Sequence, residues 1–392
     1  MTRSAQESRQ ALRVAVSWLL VLTVAFIVYA SLYPFDFDPW RLHAARAELA
    51  RSLDWRPPPR TDLIANLIFY LPFGALLTYL TPRRWGYLRC IFWVLILGSV
   101  LSFLMECAQF MTRDRDPSIT DVALNGASAA AAAVLAFGAR RLGLRPALPQ
   151  LRAPRPDFLA LVLVGLWLAF HAAPFMPTVR FIRHLHAPWT LIAWDVSLAG
   201  ICGFFAGYVL LGAVLRSQLR ADSFWPAAAA LAALTVLSRL VFRGQHLELN
   251  ELLGLLTALP VIWQLTRDGD DRAYARATLC FVPALLFFAL APFVFSTATP
   301  SAASLYPLDL KHRSLAGEPG WLEAAFLYAG LVWLLAEAGV PIRRSLLWLL
   351  GFALLIELAH AWQPGKAAHP AAPLGVLLGA ALAYLRRLRA SA

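Results

Sequence analysis

The stretch VAVSWLLVLTVAFIVYASLY, residues 14–33, is an unbroken apolar run. A helix needs about 20 such residues to cross a bilayer core, and this run meets that length. It is too long for the apolar part of a typical signal peptide, and no small-residue cleavage site follows it. It therefore reads as a retained membrane helix. Similar runs recur along the whole 392-residue chain, which is 59% hydrophobic and 15% charged, with a mean hydropathy of +0.61. A soluble chain of this size would need more charge to cover its surface. The expected fold is all-α, a polytopic integral membrane protein with the lipid bilayer as its first partner.

Working outward from residue 33, the apolar runs predict spans near 14–33, 62–81, 88–110, 119–138, 157–176, 190–213, 224–242, 247–265, 277–296, 320–338, 344–362 and 370–386. That makes about twelve transmembrane helices. The net charge of +12 is mostly arginine. In a soluble chain it would point to nucleic acid; here the arginines cluster between apolar runs and set orientation instead, so nucleic acid is excluded as a partner. Arg3, Arg9 and Arg13, the set Arg140, Arg141, Arg145, Arg152 and Arg155, and the tail Arg386, Arg387 and Arg389 all fall on one side. The bias favours both termini in the cytoplasm, although the first outer loop is itself basic. Cys90, Cys107, Cys202 and Cys280 lie in or beside apolar runs without metal-ligand spacing, and read as free packing cysteines. No motif implies a cofactor or a metal, and no heptad seam fixes an oligomeric state.

The first run ends in SLYPFDFDPW (31–40), and a near copy, SLYPLDLKHR, stands at 304–313. Each phrase follows a first span and breaks its helix with a proline. AFHAAPFMPTVRF (169–181) is a weaker counterpart. DLIANLIFYLPFG (62–74) echoes DVSLAGICGFFAG (195–207), LMECAQF (104–110) echoes LIELAHA (355–361), and DVALNG (121–126) echoes HLELNE (246–251). These echoes predict three four-helix repeats, 14–138, 157–265 and 277–386, joined by APRPDF and TRDGDDRAYAR. With an even number of spans each, the repeats would run parallel in the membrane.

The first repeat carries the densest polar constellation. Asp62 and Asn66 are spaced i,i+4 on the second span. Glu106, Gln109 and Arg113 follow at i, i+3, i+7 on the third span and its end, and Asp121 and Asn125 at i,i+4 on the fourth. Each set shares a helix face. In the predicted topology all of them gather just below the outer interface. Charges in a membrane cost roughly 2.5–3.5 kcal/mol each. Two readings of the cluster stand side by side. Arg113 and Arg115 neutralise Glu106 and Asp121 while Asn66 and Asn125 tie helices together, or the cluster is a binding or catalytic site. In the second case Glu106 and Asp121 are the candidate catalytic residues, and Asp62, Asn66, Gln109, Arg113 and Asn125 the candidate substrate-binding residues. Elsewhere, Asp36 and Asp38 read as loop caps, and Pro72 and Gly74 shape the second span. Asp195 and Arg239 are a candidate pair in the second repeat. His184, His186 and His369 read as loop residues, while Glu357 and His360 share a helix face without making a metal site.

The combination of LYPF, DLIANLIFYLPFG and ECAQFMTRDRDPSITDVALNG resembles the VanZ-like family of bacterial membrane proteins over residues 14–138. The pattern positions are Asp62, Asn66, Pro72, Gly74, Glu106, Gln109, Arg113, Asp121 and Asn125. Ala199 stands where Asn66 would recur, and the third repeat retains Glu357 without a counterpart of Asp121, so one active repeat and two degenerate ones are expected. The resemblance implies a multi-pass protein of the bacterial inner membrane acting in the cell envelope. The family's founding member is associated with resistance to the glycopeptide teicoplanin. The leading function is to bind or modify an amphiphile at the outer leaflet, such as a lipid-linked wall or polysaccharide precursor. Glu106 or Asp121 would act as general base and Arg113 as an electrostatic clamp. A transporter or lipid flippase and a non-catalytic membrane scaffold are the alternatives.

Overall fold

Helix follows apolar run along the chain almost one for one. A computed structural model describes residues 3–32, 37, 60–82, 84–112, 118–142, 157–173, 192–242, 246–267, 272–296, 320–363 and 370–391. Among them are twelve helices: α1 Arg3–Leu32, α2 Arg60–Leu80, α3 Tyr87–Gln109, α4 Ile119–Arg141, α5 Phe158–Ala172, α6 Leu198–Gln218, α7 Ala221–Val241, α8 Leu249–Arg267, α9 Ala273–Leu290, α10 Gly320–Glu337, α11 Ile342–His360 and α12 Ala371–Ser391. Six of these, α3, α4 and α6 to α9, are long and apolar enough to cross a membrane, and five others hold shorter apolar stretches. Large apolar side chains stand exposed on them, Leu88, Leu135, Leu279 and Trp348 for example. That is the surface a bilayer solvates and water does not.

The start of the sixth helix is instructive. The sixth span was expected from residue 190, but α6 begins at Leu198. Ile192 and Ala193 instead pair in parallel with Leu247 and Glu248, a two-residue ladder of β1 (Ile192–Ala193) and β2 (Leu247–Glu248). Ser197 then caps α6, its side chain accepting from Gly200 N at 3.0 Å. Apolarity marked where the chain is buried; a serine and a ladder decided where the helix starts. The two SLYP phrases include Pro34 and Pro307, which lie outside the described residues.

The chain divides into two compact units, the first made chiefly of residues 1–148 and the second of 149–176 and 180–392. The first unit contains α1 to α4. Ile27, Phe69, Tyr70, Phe73, Cys90, Val94, Ala129 and Ala133 form its core. The helices approach closely through small residues, as membrane helices do. A Cβ on Gly74 of α2 would stand 2.2 Å from the Ala129 carbonyl oxygen of α4, and one on Gly98 of α3 would stand 2.8 Å from Ala129 Cβ.

The second unit contains α5 to α12 around Trp167, Phe281, Phe326 and Trp333. The second and third predicted repeats thus share one core. Packing between them is reciprocal: α5 lies on α10 and α6 lies on α9, so the first helix of each group meets the second helix of the other. At one end of this unit, Asp157 receives Trp333 Nε1 at 3.3 Å and Arg386 at 3.3 Å, and Arg386 also pairs with Glu337. Within each group of four, the second helix packs along the fourth: α2 on α4, α6 on α8, α10 on α12.

Candidate functional site

The last turns of α3 turn their polar side inward. Ser102, Glu106 and Gln109 are buried at i, i+4 and i+7, while the intervening Phe103 and Leu104 are exposed. The fourth helix answers with Asn125 and Ser128, also buried, one and two turns beyond the half-buried Asp121. Glu106 Oε2 accepts the Ser118 backbone N–H at 2.8 Å, just before α4 begins. Asn125 Nδ2 donates to Ser102 Oγ at 2.8 Å, joining α3 to α4. Gln109 Nε2 donates to the Ser31 carbonyl at 2.9 Å, joining α3 to the end of α1. Thr112 Oγ1 donates to the Gln109 carbonyl at 2.7 Å, and Thr112 makes a single antiparallel bridge to Phe37.

The structure therefore brings four of the seven predicted residues, Glu106, Gln109, Asp121 and Asn125, to one end of the first unit. Asp62 and Asn66 fall in the first turns of α2, with side chains outside the described residues. Arg113 also lies outside them. Two residues join the cluster that the sequence analysis did not select, Tyr70 and Ser102. Tyr70 is 3% exposed and interacts with Ser102, Glu106 and Asp121. The signal was present in the spacing. Tyr70 continues the Asp62, Asn66 stripe by one more step of four, as Ser102 precedes Glu106 by four.

Chemically the cluster is rich in acceptors and hydroxyls. A carboxylate can accept several donors at once, and the Ser118 N–H is one of those at Glu106. Asn125 Oδ1 and Thr120 Oγ1 are both buried and make no hydrogen bond among the described residues. An unpaired buried polar atom costs roughly 1–3 kcal/mol, so each is a place where an incoming hydroxyl or amide would be stabilised.

Residues 16–140 match the VanZ/LLP1 family model. No curated protein and no solved structure matches the chain. The VanZ-like segment coincides with α1 to α4, so the polar cluster lies wholly inside it. The match ends before α5, and the second unit stands outside it.

Two further expectations are resolved in the second unit. Arg239 was expected to pair with Asp195. Its Nε instead lies 3.1 Å from Glu251 Oε2 and its NH1 3.3 Å from Glu248 Oε1. The ladder of β1 and β2 and the start of α8 bring those glutamates to the end of α7, which a pairwise reading of the sequence could not foresee. His360 uses both ring nitrogens: Nδ1 is 3.3 Å from Glu357 Oε2, and Nε2 donates to the Ala289 carbonyl at 2.8 Å. His184, His186 and His369 lie outside the described residues.

Proposed function

We propose that this VanZ-like membrane protein binds or modifies an amphiphilic, hydroxyl-bearing molecule of the bacterial cell envelope. A lipid-linked wall or polysaccharide precursor, presented in the outer leaflet of the inner membrane, is the class in view. The observation that carries the reading is the pair of buried, unpaired oxygens, Asn125 Oδ1 and Thr120 Oγ1, in the same VanZ-like cluster as the buried Glu106. Acceptors of this kind select donors, and sugar hydroxyls and amides are donors. Where the ligand is modified, Glu106 or Asp121 takes a proton from a ligand hydroxyl, and Arg113 would serve as an electrostatic clamp on its phosphate or carboxylate. Asp62 and Asn66 complete the set from α2. Loss of such a ligand from the wall pathway is the route by which the protein would affect glycopeptide sensitivity.

The test is to purify the protein with its native lipids and identify them by mass spectrometry. A sugar-bearing lipid precursor should accompany the unmodified chain and be depleted in Asn125→Ala and Glu106→Gln. Ordinary phospholipid alone, in both the unmodified chain and the variants, would overturn the proposal. Orientation is tested separately, with cysteines placed at Phe37 and Arg84 in a background lacking the native four. An impermeant thiol reagent should label Phe37→Cys in intact cells and Arg84→Cys only after the membrane is opened.

A further inference from the structure

The second unit holds a cavity of about 430 Å³ that the VanZ-like segment does not include. Its walls alternate helix ends and helix starts. Phe170 comes from the end of α5, Phe204 from the start of α6, Arg239 from the end of α7, Asn250 from the start of α8, Phe288 from the end of α9 and Glu323 from the start of α10. Both helix groups of this unit therefore contribute, at one common end. Its size lies within the roughly 300–1,000 Å³ usual for small-molecule sites.

The polar wall is built around Arg239, which is 5% exposed. Its guanidinium is held by Glu251 at 3.1 Å and Glu248 at 3.3 Å, and lies 5.5 Å from the ring centroids of Phe170 and Phe204. Behind it, Glu251 Oε1 accepts from Tyr208 OH at 3.0 Å and lies 3.0 Å from His171 Nε2. The one arginine among the described lining residues is thus offset by two glutamates of the protein itself. The carboxylates of Asp195 and Glu323 also line the cavity and make no ion pair with a described residue. Among the described residues at the cavity and directly behind it, the acids Asp195, Glu248, Glu251 and Glu323 outnumber Arg239, His171 and His246 taken together.

We propose that this cavity binds an organic cation, its ammonium group placed between Asp195 and Glu323 and its apolar part against Phe170, Phe204 and Phe288. Aromatic faces attract a cation and solvate hydrocarbon at the same time. A metal ion fits the wall poorly, because hard cations need six or more oxygen ligands and three of the side chains here are phenyl rings. Among the described residues no group of three His, Cys, Asp or Glu has metal-binding geometry.

The experiment uses the whole protein in a nonionic detergent and equilibrium dialysis with benzyltrimethylammonium, with benzenesulfonate as the matched anion. The ammonium compound should bind saturably and the sulfonate should not. Asp195→Asn and Glu323→Gln, which keep side-chain shape, should each weaken ammonium binding about tenfold or more, whereas Glu106→Gln in the VanZ-like segment should leave it unchanged. As a second measurement, a cysteine replacing Ala193 in the cavity wall should be protected from a maleimide by the ammonium compound. No ammonium binding, equal binding of the sulfonate, or undiminished binding in the folded double variant Asp195→Asn/Glu323→Gln would each overturn the proposal. Because the Glu106→Gln variant probes the VanZ-like cluster alone, failure there and failure here are separate outcomes.

Discussion

The polar end of α3 and α4 and the polar end of α7 and α8 start from a similar arrangement and resolve it differently. Ser102 and Glu106 on α3 are matched in spacing by Thr235 and Arg239 on α7, each pair i,i+4, and Asn125 stands early in α4 as Asn250 does in α8. In the first unit the third helix presents an acid, its Oε2 accepts a backbone N–H, and Asn125 uses its nitrogen while its oxygen stays unpaired. In the second unit the third helix presents a base, answered by Glu251 and Glu248. Asn250 is paired at both ends, donating to the Asp195 carbonyl at 3.0 Å and accepting from Ser197 N at 2.9 Å. One end keeps an amide oxygen unpaired among the described residues. In the other, the arginine stands against two glutamates beside a cavity.

The sharpest way to break that contrast is to remove one charge from each. Arg239→Gln leaves buried carboxylates without their cation and should destabilise the second unit by about 3–5 kcal/mol. Thermal unfolding in detergent would read this, and Arg239→Gln with Glu251→Gln should recover part of the loss. Glu106→Gln should cost less than Arg239→Gln, because a carboxamide oxygen can still accept the Ser118 N–H. Equal losses in the two single variants would erase the distinction between the two ends.

Close packing gives a smaller expected effect. Gly74→Ala drives a Cβ into the Ala129 carbonyl, a backbone atom that cannot swing aside, and should cost roughly 1–3 kcal/mol. Gly165→Ala on α5 meets nothing within 4 Å and should be neutral or slightly stabilising by the gain in helix propensity, up to about 1 kcal/mol.

Next come the asparagines. Asn250→Ala strips two backbone partners and should cost about 2 kcal/mol, whereas Asn125→Ala removes one hydrogen bond and relieves one unpaired oxygen, for about 1 kcal/mol or less. Reversal of that order in unfolding measurements would mean that Asn125 has a partner in the membrane that Asn250 lacks.

The smallest effect sharpens the repeat proposal. Gln109 donates to the carbonyl of Ser31, next to last in α1, and His360 donates to that of Ala289, next to last in α9. In the LMECAQF and LIELAHA echo these residues hold the same place. We propose that the three groups of four descend from one repeat, supported by this shared tie and by the pairing of second helix with fourth in every group. Gln109→Ala and His360→Ala should then cost similar amounts, about 0.6–1 kcal/mol as for other interhelical hydrogen bonds in membranes.

The sequence by itself determined the helices and the family segment. Apolar run length is a one-dimensional property set by bilayer thickness, so the spans expected at 88–110 and 320–338 return as Tyr87–Gln109 and Gly320–Glu337. The Glu106, Gln109, Asp121 and Asn125 cluster was legible for a related reason, since polar residues are costly in apolar helices and their i,i+3 and i,i+4 spacing names a face. Only the tertiary structure decided who faces whom. A helix that is apolar on every side carries little trace of which side meets protein and which meets lipid. Hence the joining of α5 to α12 in one core, the capture of Arg239 by Glu251 and Glu248, and the cavity between two helix groups were not readable. The same holds for the tyrosine on α2: as one aromatic among many, Tyr70 joined the cluster only when the packing of α2 and α3 against α4 set it beside Ser102.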